Sequence, residues 1–320
     1  MLPFDYAPRS AHLKWLLDSD PAIRWQVMRD LTGEAPGAIA AERSRIATEG
    51  WGARLLAAQS PAGHWREPPQ QFRPDLPERD RILLVTLYTL VILKDLGLDP
   101  ASKQARRMIN RVEKRLVFKP LNQPFLDGET EPCINGRILG IGSYFKEPND
   151  ALANHLVAQQ LDDGGWNCEA PKSRRSSFHT TICVLEGLLE YERAGRKSVA
   201  VTRARRRAEK YLLERRMFRA LRTGDVIDKR WLRFSFPTFW YYDVLRGLDY
   251  LRKAGIKADG RVSEAVEIVI ARRHQNGRWP LNLRHPEHIP VEMETGVGSA
   301  SRWNTLRALR VLRWYSNSAT

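Results

Sequence analysis

Apolar residues in this chain recur at the three-to-four-residue spacing of amphipathic helices, in blocks broken by polar, glycine- or proline-marked stretches, and few windows show the alternation that half-buried strands need. Two kinds of block repeat. In the first, "LLAAQSPAGHW", "LVAQQLDDGGW" and "VIARRHQNGRW" each join an apolar helical stretch to Gln59, Gln160 or Arg273. Three residues follow, then a glycine (Gly63, Gly164, Gly277), one residue, and Trp65, Trp166 or Trp279. In the second, "TLYTLVILKDLG", "VLEGLLEYERAG" and "VLRGLDYLRKAG" align on Thr86, Val184 and Val244. Their closing glycines Gly97, Gly195 and Gly255 then share one offset, the place where a helix C-cap needs a residue tolerant of left-handed φ. "TLRALRVLRWY" ends the series, and "DPAIRWQVMRDLTG" opens it with Asp20 as N-cap and Pro21 in the first turn. With "CINGRILGIGSYF" included, six such helices begin near residues 21, 81, 133, 179, 240 and 302. The gaps leave room for a second helix and a return loop in each.

The pattern therefore predicts an all-α chain of about six helical hairpins in a single domain spanning 1–320. Such hairpins either stack as an open solenoid or close into an α/α toroid with inner and outer helix rings. The would-be inner helices are more apolar and carry small residues such as Gly140, Gly142, Thr180 and Thr181, while their partners carry charge, a contrast that favours closure. A hydrophobic content of 42% with ten tryptophans is enough for a large core. The longest apolar run, "ILLVTLYTLVIL" at 82–93, is shorter than the roughly 20 residues a bilayer span needs. No apolar leader segment follows "MLPFDYAPRS", and the three cysteines, Cys133, Cys168 and Cys183, show no CxxC spacing. These features point to a cytoplasmic protein with reduced thiols.

Charge changes the picture in one place. The formal net charge is +15, and residues 193–222 hold twelve arginines or lysines, threaded at helical spacing by Leu212, Leu213, Met217 and Leu221. This reads as an amphipathic helix with a basic outer face, either solvated or in contact with a membrane surface or a protein. No nucleic-acid motif accompanies it, so nucleic acid is set aside.

The Gln-x-x-x-Gly-x-Trp units resemble the QW repeats of the squalene-hopene cyclase and protein prenyltransferase beta-subunit superfamily, whose members are α/α toroids; the third copy departs by carrying Arg273. In that family the unit is a brace, which implies a structural role for 156–169, with Asp162 and Asp163 solvated or capping. The D-x-D-D acid of the class II cyclases and the D-D-x-x-D of ionising terpene synthases are both absent, and the length matches one toroid. The resemblance thus implies an apolar, isoprenoid-like substrate without class II cyclisation.

Prenyltransferase beta subunits hold zinc with an Asp-x-Cys pair at the start of one inner helix and a histidine opening the next. Here "TEPCING" offers Glu131 and Cys133, and "SSFHTTICVLEGL" offers His179; aligning Ile138 with Val184 puts Cys133 and His179 at one register. The resemblance implies Glu131, Cys133 and His179 as zinc ligands around an open fourth position, with Cys133 and His179 catalytic. The alternative is a Cys133 that serves as a small buried hydrophobe and a His179 that bonds at a helix start. By the same register Trp240, Tyr241, Tyr242 and Asp243 stand at the first turn of the fifth inner helix, and Arg302, Trp303 and Asn304 at that of the sixth. The rings, Arg302 and Asn304 either bind an apolar substrate or fill the core; Asp243 is either a catalytic acid raised by desolvation or half of a buried ion pair. The other histidines, His12 and His285 among them, fall on outer helices or loops and receive no role. Two functions follow: an enzyme acting on an apolar small molecule, or a non-catalytic toroid that binds a lipid or a protein.

Overall fold

In a computed structural model, residues 8–68, 76–118, 121–287 and 289–319 are described. Thirteen α-helices carry the fold among them: α1 (Ser10–Leu17), α2 (Pro21–Val27), α3 (Pro36–Ser44), α4 (Gly50–Ala57), α5 (Glu78–Leu96), α6 (Lys103–Arg115), α7 (Pro132–Tyr144), α8 (Asp150–Ala158), α9 (Phe178–Arg193), α10 (Val199–Glu214), α11 (Val244–Lys253), α12 (Ser263–Ala271) and α13 (Arg302–Ala319). The described strands are a two-residue ribbon, β1 (Val117–Phe118) against β2 (Gln123–Pro124), paired antiparallel. The protein is all-α, as the periodicity predicts. No helix of the described residues is long and apolar enough to cross a membrane.

The chain forms two compact units, each gathered from separated stretches: residues 1–42, 209–285 and 294–320 in one, residues 43–208 and 286–293 in the other. In the second unit α5, α7 and α9 pack side by side, and α4 and α8 pack behind them, the α/α layering that repeated hairpins produce. In the first, α11 packs on α12 and α13, and α13 also meets α2.

The three repeated Gln-or-Arg, Gly, Trp units are three copies of one bracket. Trp65, Trp166 and Trp279 have no exposed surface. Each indole N–H donates to a carbonyl of the helix before it, that of Leu55, Leu156 or Val269, at 2.7 Å. Each tryptophan backbone N–H is 3.0 Å from a threonine hydroxyl on the next helix, Thr86, Thr181 or Thr305. The Gln59 amide donates to the Gly63 and Met108 carbonyls, and the Gln160 amide to those of Gly164 and Ala204, so each glutamine ties its loop to a later helix. Arg273 donates to Gly277 alone by its Nε, at 3.2 Å, and His12 of α1 takes over the bridging with a contact to the Asn276 carbonyl at 2.9 Å. His12, given no role from sequence, is thus part of the third bracket. The 156–169 loop is structural: Asp163 accepts from the Ser176 backbone N–H at 3.0 Å, and Asp162 is exposed.

Glycine sets the approach of α7 to α9. A Cβ on Gly187 would lie 2.0 Å from the Gly136 carbonyl oxygen, and one on Gly136 would lie 2.6 Å from the Val184 Cα. The two backbones therefore touch, and any side chain at either position would force them apart.

Candidate functional site

A group of two cysteines and a carboxylate lies beside the α7–α9 contact. Gly136 sits against Val184 and Gly187 against Gly136, so the N-terminal halves of the two helices run in backbone contact. The bracket supplies the third element: Trp166 is pinned through its N–H to Thr181, and Cys168, two residues on, reaches Thr180 with its Sγ 3.3 Å from Thr180 Oγ1. Glu131 is the N-cap residue of α7, and its Oε2 lies 3.5 Å from Cys133 Sγ. One ligand atom each from Glu131, Cys133 and Cys168 lie within 4.8 Å of one another; Cys133 is buried, Cys168 half-buried and Glu131 exposed.

The two thiols are not equivalent. Cys168 accepts hydrogen bonds from the Cys133 thiol, the Thr180 hydroxyl and the Cys133 backbone N–H, and the first of these chiefly holds its pKa below the ordinary cysteine value against the opposing effect of burial. Cys133, donating that bond and buried, is pushed up. The start of α7, with the Cys133 N–H aimed at Cys168, has the polarity that favours an anion there. Two sulfurs and a carboxylate with one open side form a donor set that suits zinc, whose catalytic sites keep three protein ligands and a free position.

Of the residues expected to meet there, Glu131 and Cys133 do, and Cys168 is the third member. His179 stands outside this group. It is the second residue of α9 and half-buried; successive helical residues diverge by about 100°, and it is the next residue, Thr180, that faces Cys168. The glycine contact matches Gly136 to Val184, whereas the sequence alignment matches Ile138 to Val184, a slip of two positions.

Asp243 and the aromatic residues belong to the other unit. The helix starts at Val244, so residues 239–242 precede it, and Asp243 is its N-cap, accepting from the Arg246 N–H at 2.7 Å. Its carboxylate is 2% exposed and 3.8 Å from the Arg307 guanidinium, with Ser235 N–H and Oγ at 3.4 and 3.5 Å. Burial raises its pKa, Arg307 and the N–H donors opposing. Asp243 thus combines a cap with a buried ion pair. Ser235 Oγ also lies 2.9 Å from His285 Nε2, and His285 stacks on Tyr241 with centroids 3.8 Å apart.

The remaining expected residues have packing partners. Tyr242 is buried and its hydroxyl donates to the Met217 carbonyl at 2.7 Å. Trp303 is buried and stacks on Phe236, and Asn304 is buried, donating to the Pro280 carbonyl and accepting from Arg307. Arg302 lies over the Trp15 ring and donates to the Asp18 carbonyl. Trp240 and Tyr241 are half-buried and meet edge to face at 5.4 Å. Sequence reasoning left out Cys168, Thr180 and His285. The first two carried a signal, since Cys168 follows Trp166 by two residues and Thr180 precedes the threonine that the bracket binds.

No known protein-family pattern matches the chain, and no characterised protein matches it by sequence. Among solved structures, a protein from Actinoplanes is 17% identical, with 94% of this chain and 91% of that one covered and a TM-score of 0.44. The type II terpene cyclase MstE from Scytonema is 13% identical, with 87% of this chain and 99% of that one covered and a TM-score of 0.39. A variant of the same cyclase, in complex with geranylgeranyl dihydroxybenzoate, is 12% identical, with 87% and 97% covered and a TM-score of 0.38.

Proposed function

We propose that this protein is a zinc-dependent cytoplasmic enzyme of the prenyltransferase-like type, acting on an apolar, isoprenoid-like small molecule, with Glu131, Cys133 and Cys168 as the metal ligands. The observation that carries the reading is the convergence of these three donors at the start of α7, where Cys168 also meets Thr180 of α9. Support for the substrate class comes from the QW-like brackets, whose hydrogen bonds repeat in three copies. Zinc bound there would supply an open coordination position at which a thiol or water is held deprotonated near neutral pH. The chain's own residues prepare that position. Cys168 is held toward its anionic form by Cys133 and Thr180, Cys133 closes the buried side, and Glu131 leaves the remaining side open to solvent.

A second reading, a non-catalytic toroid that binds a lipid or protein, is favoured by Asp243, whose carboxylate is committed to a helix cap and to Arg307. One experiment separates the two. Protein made with zinc in the medium and purified without a metal column should carry one zinc per chain by plasma mass spectrometry. Cys168→Ser and Cys133→Ser should abolish it, and His179→Ala should retain it. Metal content near zero in the wild type, or full retention in Cys168→Ser, removes the enzyme reading and leaves the binding protein.

A further inference from the structure

A short hairpin follows α10 and is absorbed by neither the brackets nor the cysteine site. Phe218 and Ile227 close it, with the Ile227 N–H donating to the Phe218 carbonyl at 3.0 Å, and Arg219 pairs with Val226 in an antiparallel bridge. At its tip Leu221 is 63% exposed, and Ile227 at its base is 43% exposed. Arg219 does not face outward freely: its guanidinium pairs with Glu264 and donates to the Gly224 carbonyl, which holds the hairpin in shape. Around the tip, residues 215–233 carry seven arginines or lysines against two aspartates, and Asp228 is taken by Arg230. Arg216, Arg222 and Lys229 are exposed, and among the described residues none of them is in a salt bridge.

We propose that this hairpin docks the protein on an anionic lipid bilayer, with Leu221 entering the headgroup–acyl boundary and Arg216, Arg222 and Lys229 meeting lipid phosphates. An exposed leucine at the apex of a braced turn gains by leaving water, and those three cations, none of them in a salt bridge among the described residues, gain by approaching a negative surface. The basic charge taken alone would equally suit nucleic acid, but a duplex backbone offers no apolar layer for Leu221. Each cation close to an anionic surface strengthens binding on the order of fivefold, so the three together contribute roughly a hundredfold. Zinc plays no part in this contact.

The test is sedimentation of the full chain with vesicles. Vesicles of equimolar phosphatidylglycerol and phosphatidylcholine should bind it at low salt and release it at high salt, and pure phosphatidylcholine should not bind it. Leu221→Ser should weaken binding about tenfold, and the Arg216→Ser, Arg222→Ser, Lys229→Ser triple variant by roughly a hundredfold. Both are surface changes, and unaltered melting temperatures establish that the variants are folded. Absence of binding to the anionic vesicles overturns the proposal, as does binding unchanged by Leu221→Ser. Duplex DNA that displaces the vesicles and is itself bound equally well by Leu221→Ser would assign the patch to nucleic acid.

Discussion

The sharpest check on the bracket is Trp166→Ala. Trp166 has no exposed surface, its indole N–H donates to the Leu156 carbonyl at 2.7 Å, and its backbone is held to Thr181. Truncation removes the ring, leaves a cavity between α8 and α9, and strands the Leu156 carbonyl. Buried tryptophan-to-alanine changes cost about 3–5 kcal/mol. For a chain of 320 residues the unfolding entropy is about 0.7 kcal/mol/K, so the melting temperature should fall by about 4–7 °C, and by more where its unit unfolds alone. Differential scanning calorimetry reads this directly, and Trp166→Phe, which keeps a ring but loses the N–H, should fall between the variant and the wild type. Because Cys168 hangs from the same loop, zinc content should drop with Trp166→Ala and persist in Trp166→Phe. A melting temperature within a degree of wild type would refute the reasoning, since the ring would then be filling space without bracing anything.

Four further outcomes follow from the geometry. Thr181→Val keeps the side-chain shape but removes the hydroxyl that meets the Trp166 N–H, and chemical denaturation should show a loss of about 1–3 kcal/mol; Thr86→Val and Thr305→Val should match it. Gly187→Ala places a Cβ against the Gly136 carbonyl and should separate α7 from α9, costing about 1–3 kcal/mol or more and abolishing metal retention, as read by circular dichroism and metal analysis. Asp249 is buried between Arg252 at 2.9 Å and Lys253 at 3.1 Å; burial opposes ionisation, but these cations outweigh it and hold its pKa below the ordinary carboxylate value of 3.8. A depressed pKa stabilises the fold above the unfolded-state value, and that stability is lost as pH falls below about 4. Urea titrations from pH 6 downward should therefore show a steeper decline in wild type than in Asp249→Asn. Incubation with squalene or oxidosqualene should give no cyclised product by mass spectrometry, because the chain has no D-x-D-D acid; a hopene-like product would overturn that expectation.

What was legible in the sequence was what local chemistry determines. The bracket closes within one short segment: each indole bonds a carbonyl ten residues earlier, each glutamine or arginine bonds a carbonyl four residues later, and each glycine supplies a positive φ. Spacing alone therefore reveals it three times over, together with the helical periodicity and the C-cap glycines. Glu131 and Cys133 were legible for a similar reason, being two residues apart at one helix start.

The tertiary structure decided what depends on the packing register. Cys168 lies 35 residues beyond Cys133 in the chain, and it reaches the α7 terminus only because α7 and α9 touch at Gly136 and Gly187. That contact, set by the absence of two side chains, selects Thr180 to face the site. His12 and His285 found partners 264 and 50 residues away, at Asn276 and Ser235. Asp243 became a cap for Arg246 and a partner for Arg307 because its helix begins at Val244, not near residue 240 as the repeat spacing places it. In each case the local sequence sets the element or loop on which a residue stands, while the approach of distant backbone segments sets which residue it meets.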